Sequence, residues 1–246
     1  MLAEIDGTPG YVIMQMPSDD LTALQKLIFD SYLSRILALY PSLSSQFYAA
    51  GMDRYHMNAD KVDHRELWPK RARVLGPYAV ENIKSLSFFQ LLIKMLNIQS
   101  ITGEDGSGWQ EMYWRVVRPG SKDVGDFHAD KWFWDFGHGK ISPGMRRLKI
   151  WIAIETLPGK SGLRVIPNSH LRTDWKYHGE KDHTGVTKPK FDEDIDLLDI
   201  VNLPTKPGEF IVFHDELIHS GMPNQSDLTR FSIEATLLVP KNPGDL

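Results

Sequence analysis

The chain has 246 residues, 41% of them hydrophobic, a formal net charge of −4 and no cysteine. That size suits one domain, and the missing thiols exclude disulfides, thiolate metal sites and a cysteine nucleophile, so any transition metal must rest on His, Asp or Glu. Charged residues make up 24% with no block of one sign, so no polyanion-binding face and no nucleic-acid partner are expected.

The N-terminal stretch MLAEIDGTPGYVIMQM lacks the basic n-region and apolar core of a secretory signal. No apolar run approaches the roughly 18 residues that span a bilayer. A cytoplasmic protein without a membrane partner is expected.

Ser18-Asp19-Asp20 reads as the N-cap region of a helix whose Leu21, Leu24, Leu27, Ile28, Tyr32 and Leu33 form one apolar stripe. A second helical region follows Pro77 through Leu86, Phe89, Leu92, Ile93 and Leu96. Between them, residues 53–77 carry many Arg, Lys and His and little apolar periodicity, which predicts a loop-rich excursion. Its Lys70, Arg71 and Arg73 offer charge for an anionic group.

After Gly106 the pattern turns to strands: Met112 to Val117, Leu148 to Ile154, Leu163 to Ile166, Phe210 to Phe213 and Phe231 to Val239. Each is a β-branched or aromatic run bounded by turn residues. Short strands without intervening helices predict an antiparallel sandwich or barrel. The expectation is a single domain, 1–246, with a helical part over about 1–105 and a mainly β core over about 106–246. The acidic run from Asp192 to Asp199 lacks the spacing of a calcium loop and reads as solvated.

Three short elements carry candidate chemistry. In His128-Ala129-Asp130, positions i and i+2 of an extended backbone point to one side, so an imidazole and a carboxylate can converge on one metal. A distant His would complete the two-His-one-carboxylate triad of non-haem iron(II) oxygenases; by itself the tripeptide is equally a surface His near an Asp. The segment Gly208 to His219 offers His214 and His219, five apart and so facing opposite ways on an extended chain. Arg230 opens the last strand with Ser232 on its face. The turn-rich linker Ser220 to Asp227 predicts that His219 and Arg230 lie on adjoining antiparallel strands. A buried Arg needs a partner; a dicarboxylate accepts a bidentate pair of bonds from it, although a surface ion pair would also satisfy it.

Together these pieces resemble the phytanoyl-CoA dioxygenase family. The likeness rests on Phe127 to Asp130, Lys149 to Glu155, Ser161 to His170 and Leu217 to Asn224 continuing to Arg230, over roughly residues 110–240. The resemblance implies a double-stranded β-helix, or jelly roll, with helices packed outside. It implies iron(II) on His128, Asp130 and His219, with 2-oxoglutarate and O2 as cosubstrates. The family's distal His precedes its 2-oxoglutarate Arg by about ten residues, which favours His219 over His214 and nominates Arg230. It also implies that Trp151 and one residue of the 112–115 strand, for which Tyr113 is nominated, line the cosubstrate pocket. His170 is read as structural, and the presence of Asp130 disfavours halogenation. The expected reaction is hydroxylation of a small-molecule substrate with release of succinate and CO2. The alternative is a cupin-like metal protein that does not use 2-oxoglutarate. Trp132 and Trp134, in the aromatic run after Asp130, read as walls of the substrate pocket or as packed core; on an extended chain both would share the face of Asp130.

Overall fold

A computed structural model describes residues 1–103, 106–182 and 185–241. The boundary expected at 105/106 and the chain end at 246 therefore touch residues outside the described set.

Helix α1 (Leu2–Asp6) leads into strand β1 (Tyr11–Gln15). Sequence reasoning does not anticipate β1, because five residues near two prolines are too few to show a period. Helix α2 (Ser18–Leu39) buries Leu24, Ile28, Tyr32 and Ile36, one apolar residue per turn. Ser18, Asp19 and Asp20 make no side-chain cap. Instead the Asp20 carboxylate accepts bonds from the Ser87 hydroxyl at 2.6 Å and the Phe88 amide at 2.8 Å, far along the chain.

Helix α3 (Ser44–Ala50) precedes the stretch expected to be loop. That stretch holds a 3-10 segment at Met52–Lys61, helix α4 (His64–Leu67) and a 3-10 turn at Lys70–Arg73. Tyr55, Leu67 and Trp68 are buried, and Trp68 stacks on Tyr32 at 5.6 Å. Tight three-residue turns do not produce the 3.6 period that advertises a helix, so this packing was hidden. The helical region after Pro77 is two helices, α5 (Pro77–Ser85) and α6 (Ser87–Leu96). They break at Leu86, whose ψ of 149° is extended.

The β part comprises β2 (Ser100–Ile101), β3 (Met112–Val117), β4 (Met145–Glu155), β5 (Leu163–Val165), β6 (Tyr177–Lys181), β7 (Thr187–Phe191), β8 (Val201–Leu203), β9 (Glu209–His214), β10 (His219–Gly221) and β11 (Arg230–Pro240). Helix α7 (Asp130–Asp135) sits between β3 and β4. A six-stranded sheet runs β1-β9-β4-β11-β2, with β3 also on β11. A three-stranded sheet runs β10-β5-β8, and β6 and β7 form a separate ribbon. All pairings are antiparallel.

The period of two along each strand sorts the large sheet into two faces. Leu148, Ile150, Ile152, Phe210, Val212, Phe231, Ile233 and Ala235 join the helices in the main core. Trp151, Ala153, Ile211 and Phe213 face the other way and pack with Leu163, Val165, Leu203 and Leu217 of the small-sheet region. The helices thus cover one face, and the second face, opposite the small sheet, is where polar side chains gather.

Candidate metal and cosubstrate site

His128 and His219 form an isolated antiparallel bridge, with N–H to O distances of 3.0 and 2.9 Å. This bridge adds the His128 stretch beside β10. Ala129 is extended, with φ −99° and ψ 139°, and Asp130 begins α7. The expected convergence follows: one ligand atom each from His128, Asp130 and His219 lie within 4.8 Å of one another.

Hydrogen bonds fix the ring tautomers. His128 Nδ1 lies 2.8 Å from the Asp126 carbonyl and His219 Nδ1 lies 2.9 Å from the Leu217 carbonyl. A carbonyl only accepts, so each Nδ1 carries the proton and each Nε2 keeps its lone pair. Burial lowers the His219 pKa to about 4, Asp130 opposing and His128 adding to the shift. Its imidazole is neutral at pH 7, as a ligand must be. Burial alone would raise the Asp130 carboxyl, but Lys149, then His219 and His128, outweigh it and hold the group below the usual range. Asp130 Oδ2 is 3.5 Å from His219 Nε2 and has no hydrogen-bond partner, although it is buried. A buried anionic oxygen without a hydrogen-bond partner thus stands beside two imidazole Nε2 atoms that keep their lone pairs, a donor set that fits a metal ion.

His214 lies apart from this cluster. Its ring packs on His170 at 5.1 Å, and burial, with His170 adding, lowers its pKa to about 4. The two histidines of the segment diverge, although a turn over 215–217 separates them rather than the extended chain expected.

Arg230 is 4% exposed. Its Nη1 donates to the Gly162 carbonyl at 2.6 Å and the Met222 carbonyl at 3.3 Å. Its Nε has no partner, and it forms no ion pair among the described residues. Burial, with Arg115 beside it, pushes the guanidinium down to about 10, still charged at pH 7. The buried hydroxyl of Ser232 is also without a partner, and the Trp151 ring lies 6.0 Å from the guanidinium carbon. A buried cation, a hydroxyl without a partner and an aromatic ring thus lie on one face of the large sheet.

One expectation is corrected here. His219 and Arg230 do not sit on adjoining strands: β10 pairs with β5 in the small sheet, while β11 pairs with β3 and β4 in the large one. They approach across the space between the sheets, because the turn-rich linker crosses from one layer to the other rather than closing a hairpin.

The strand register places Tyr113 opposite Glu234 and Arg115 opposite Ser232. Tyr113 donates its hydroxyl to Glu111 at 2.5 Å and lies under Lys70, 5.0 Å from its ring centre. The basic stretch expected in a loop therefore reaches this face. Arg115, level with Ser232, was not foreseen; it pairs with Glu234.

The segment after Asp130 is helical, not extended. Six residues, Lys131 to Phe136, separate the metal motif from Gly137, and α7 takes Asp130 and the first five of them. Its period puts Trp134 on Asp130's face, one turn on, and Trp132 away from it. Trp132 is buried and stacks on Tyr177 at 4.4 Å and Phe191 at 5.5 Å, beside a small cleft shared with Lys131, Trp175 and Arg172. Trp134 receives the Arg147 guanidinium at 4.2 Å and the Lys149 ammonium at 6.0 Å over its ring.

The phytanoyl-CoA dioxygenase family model matches residues 48–232, three quarters of the chain. The chain belongs to the phytanoyl-CoA dioxygenase family. The match extends well upstream of the residues that carry the resemblance, into the helical part. No curated protein matches the sequence. Among solved structures, EvdO2 from Micromonospora carbonacea var. aurantiaca, complexed with 2-oxoglutarate, is similar with TM-score 0.57 and 14% identity, covering 99% of this chain and 91% of that one. EctD from S. alaskensis, with 2-oxoglutarate and 5-hydroxyectoine, has TM-score 0.54 and 17% identity over 94% and 72%. The non-haem α-ketoglutarate-dependent carbocyclase SnoK from nogalamycin biosynthesis has TM-score 0.52 and 15% identity over 96% and 84%. Members of this fold thus share the two-sheet architecture with flanking helices. No helix here is long and apolar enough to cross a membrane.

Proposed function

We propose that this member of the phytanoyl-CoA dioxygenase family is an iron(II)- and 2-oxoglutarate-dependent oxygenase that hydroxylates a small molecule. We read 1–246 as one catalytic domain whose two sheets form a double-stranded β-helix. Strands β1 and β2 from the helical part belong to the large sheet, which supports a single unit.

The observation that carries this reading is a coincidence of orphans on facing layers. Three metal-competent atoms converge, and a buried guanidinium without a carboxylate lies with a partnerless hydroxyl nearby. Arg230 charge and the Ser232 hydroxyl fit the far carboxylate of 2-oxoglutarate, and a fixed cation there orients the cosubstrate's keto acid toward the metal. Iron(II), when bound, supplies the oxidative decarboxylation of 2-oxoglutarate that drives substrate oxidation. His128, Asp130 and His219 would hold it as a two-His-one-carboxylate set, which leaves room for cosubstrate and O2. Trp151 walls the cosubstrate pocket, with Tyr113 and Arg115 on β3, across β11 from it. Trp134 lines the substrate side and Trp132 backs it from the far face of α7. Exclusion of water around a neutral His219 and a buried Asp130 keeps the polar groups strong.

Succinate formation from 2-oxoglutarate with iron(II) and ascorbate, together with anaerobic metal titration, tests the reading. Asp130→Ala and His219→Ala should abolish both turnover and tight iron binding while the protein stays folded. His214→Ala should keep both. Loss of iron binding in His214→Ala with retention in His219→Ala would reassign the ligand.

A further inference from the structure

Lys149 is a buried lysine, 6% exposed, in the middle of a strand where its neighbours Leu148 and Ile150 to Ile154 are all buried and apolar. Its Nζ lies 3.1 Å from Asp130 Oδ1 and 2.8 Å from Thr236 Oγ1, and it sits over the Trp134 ring. Thr236 is directly across from it in the β4–β11 register, so two strands of the large sheet hold the ammonium in place. An ammonium has three donors, and these contacts direct it at one oxygen of the carboxylate. The other oxygen, Oδ2, has no hydrogen-bond partner and is the one nearest His219 Nε2.

We propose that Lys149 is a positioning residue that keeps Asp130 a one-oxygen ligand. By occupying Oδ1 it leaves only Oδ2 for the metal. A carboxylate free to turn could bind through both oxygens and fill a coordination position. Two positions are required for a chelating keto acid and a third for O2, so a second oxygen from Asp130 competes directly with the cosubstrate. A hydrogen bond to the outer oxygen of a ligating carboxylate fixes its orientation in this way. Lys149 thus acts on the cosubstrate through Asp130. Thr236, directly across on β11, fixes the lysine itself.

This inference rests on the oxygenase reading, and its test separates the two. In wild-type protein without oxygen, iron(II) titration followed by 2-oxoglutarate titration of the charge-transfer absorption establishes the reading; absence of both signals overturns that reading, and this inference with it. In Lys149→Met, iron(II) affinity should stay within about threefold, while 2-oxoglutarate affinity falls about tenfold or more. X-ray absorption of the iron(II) form without 2-oxoglutarate should show an added carboxylate oxygen. Lys149→Arg, which keeps a donor to Oδ1, should recover most of the affinity. Unchanged 2-oxoglutarate affinity with an unchanged absorption edge in Lys149→Met overturns the proposal. Should that variant fail to fold, Thr236→Val, which removes only the lysine's second anchor, reads the same quantity: a weakening of about threefold or more is expected, and none overturns the proposal.

Discussion

At the scale of single residues, the site is a set of polar atoms buried without partners, and each is expensive to leave so. Arg230 is the clearest case. Removing one member of a buried, hydrogen-bonded charge pair costs on the order of 2–5 kcal/mol, so Arg230→Ala should weaken anaerobic 2-oxoglutarate binding by about 30-fold or more. Iron affinity should change far less; unchanged cosubstrate affinity would remove Arg230 from the pocket. Glu155, at the end of β4, offers a different test. Burial, then the charge of Asp53, raises its carboxyl to about 7 against the bond from Gln25. Unfolded, its pKa is about 4.3. The folded state therefore holds this proton more tightly, and stability is lost as pH rises between those two values. Glu155→Gln keeps the shape and cannot ionise. Its stability should gain on wild type between pH 5 and pH 8, by about 1–2 kcal/mol after allowing for partial exposure, read as a rising difference in melting temperature. A gap that does not change with pH would mean that the carboxyl ionises freely in the folded protein. Among these residues, His128, Asp130, His219, Arg230 and Ser232 stood out in the sequence because their type and spacing carry chemistry. Lys149 did not, although the alternation that puts Trp151 inside also puts Lys149 there. A lysine is read as a solvent residue until its strand neighbours show otherwise.

At the scale of elements, the strands were more legible than the helices. Apolar alternation marked β3, β4, β5, β9 and β11, with ends off by up to three residues. The 3-10 turns between Met52 and Arg73, the ribbon β6–β7 and the short β8 gave no signal, since exposed or three-residue elements have no periodic face to show. Helix α7 is the instructive miss. Its aromatic content favours a strand, yet six residues of local helix won because the chain must turn at Asp130 beneath Asp215, whose carbonyl accepts the Lys131 amide at 2.9 Å. The helix separates two tryptophans that an extended chain would have paired. Trp132→Ala should lower the melting temperature, by about 3–5 kcal/mol of stability, and depress substrate oxidation and uncoupled succinate formation together. Trp134→Ala should leave the fold largely intact and reduce substrate oxidation more than uncoupled succinate formation. Equal losses in both variants would return Trp134 to the core.

At the scale of the whole molecule, the proposed ligands come from different layers. His219 belongs to the small sheet, Asp130 to α7, and Arg230 to the large sheet. A metal with its cosubstrate would therefore add to the Lys149–Asp130 pair and the Arg230 bonds that already tie these layers together. Binding only to the folded state stabilises by about 2.7 kcal/mol at a hundredfold excess over Kd. For a domain of this size that raises the melting temperature by about 5–10 °C. Calorimetry with iron(II) plus 2-oxoglutarate, without oxygen, should show that rise. 2-Oxoglutarate without metal should give much less, and an Arg230→Ala protein should lose the cosubstrate's share. A rise of equal size from 2-oxoglutarate alone would place its binding elsewhere.

The ribbon β6–β7 stands outside both sheets yet grips α7: Tyr177 and Phe191 stack on Trp132, the Tyr177 hydroxyl reaches Asp135 at 2.9 Å, and His138 donates to the Thr187 carbonyl at 2.7 Å. The helix it grips begins with the proposed carboxylate ligand. The ribbon therefore supports the carboxylate's helix from outside both sheets, while His219 and Arg230 stand on β10 and β11. The carboxylate is thus held by a layer that carries neither His219 nor Arg230.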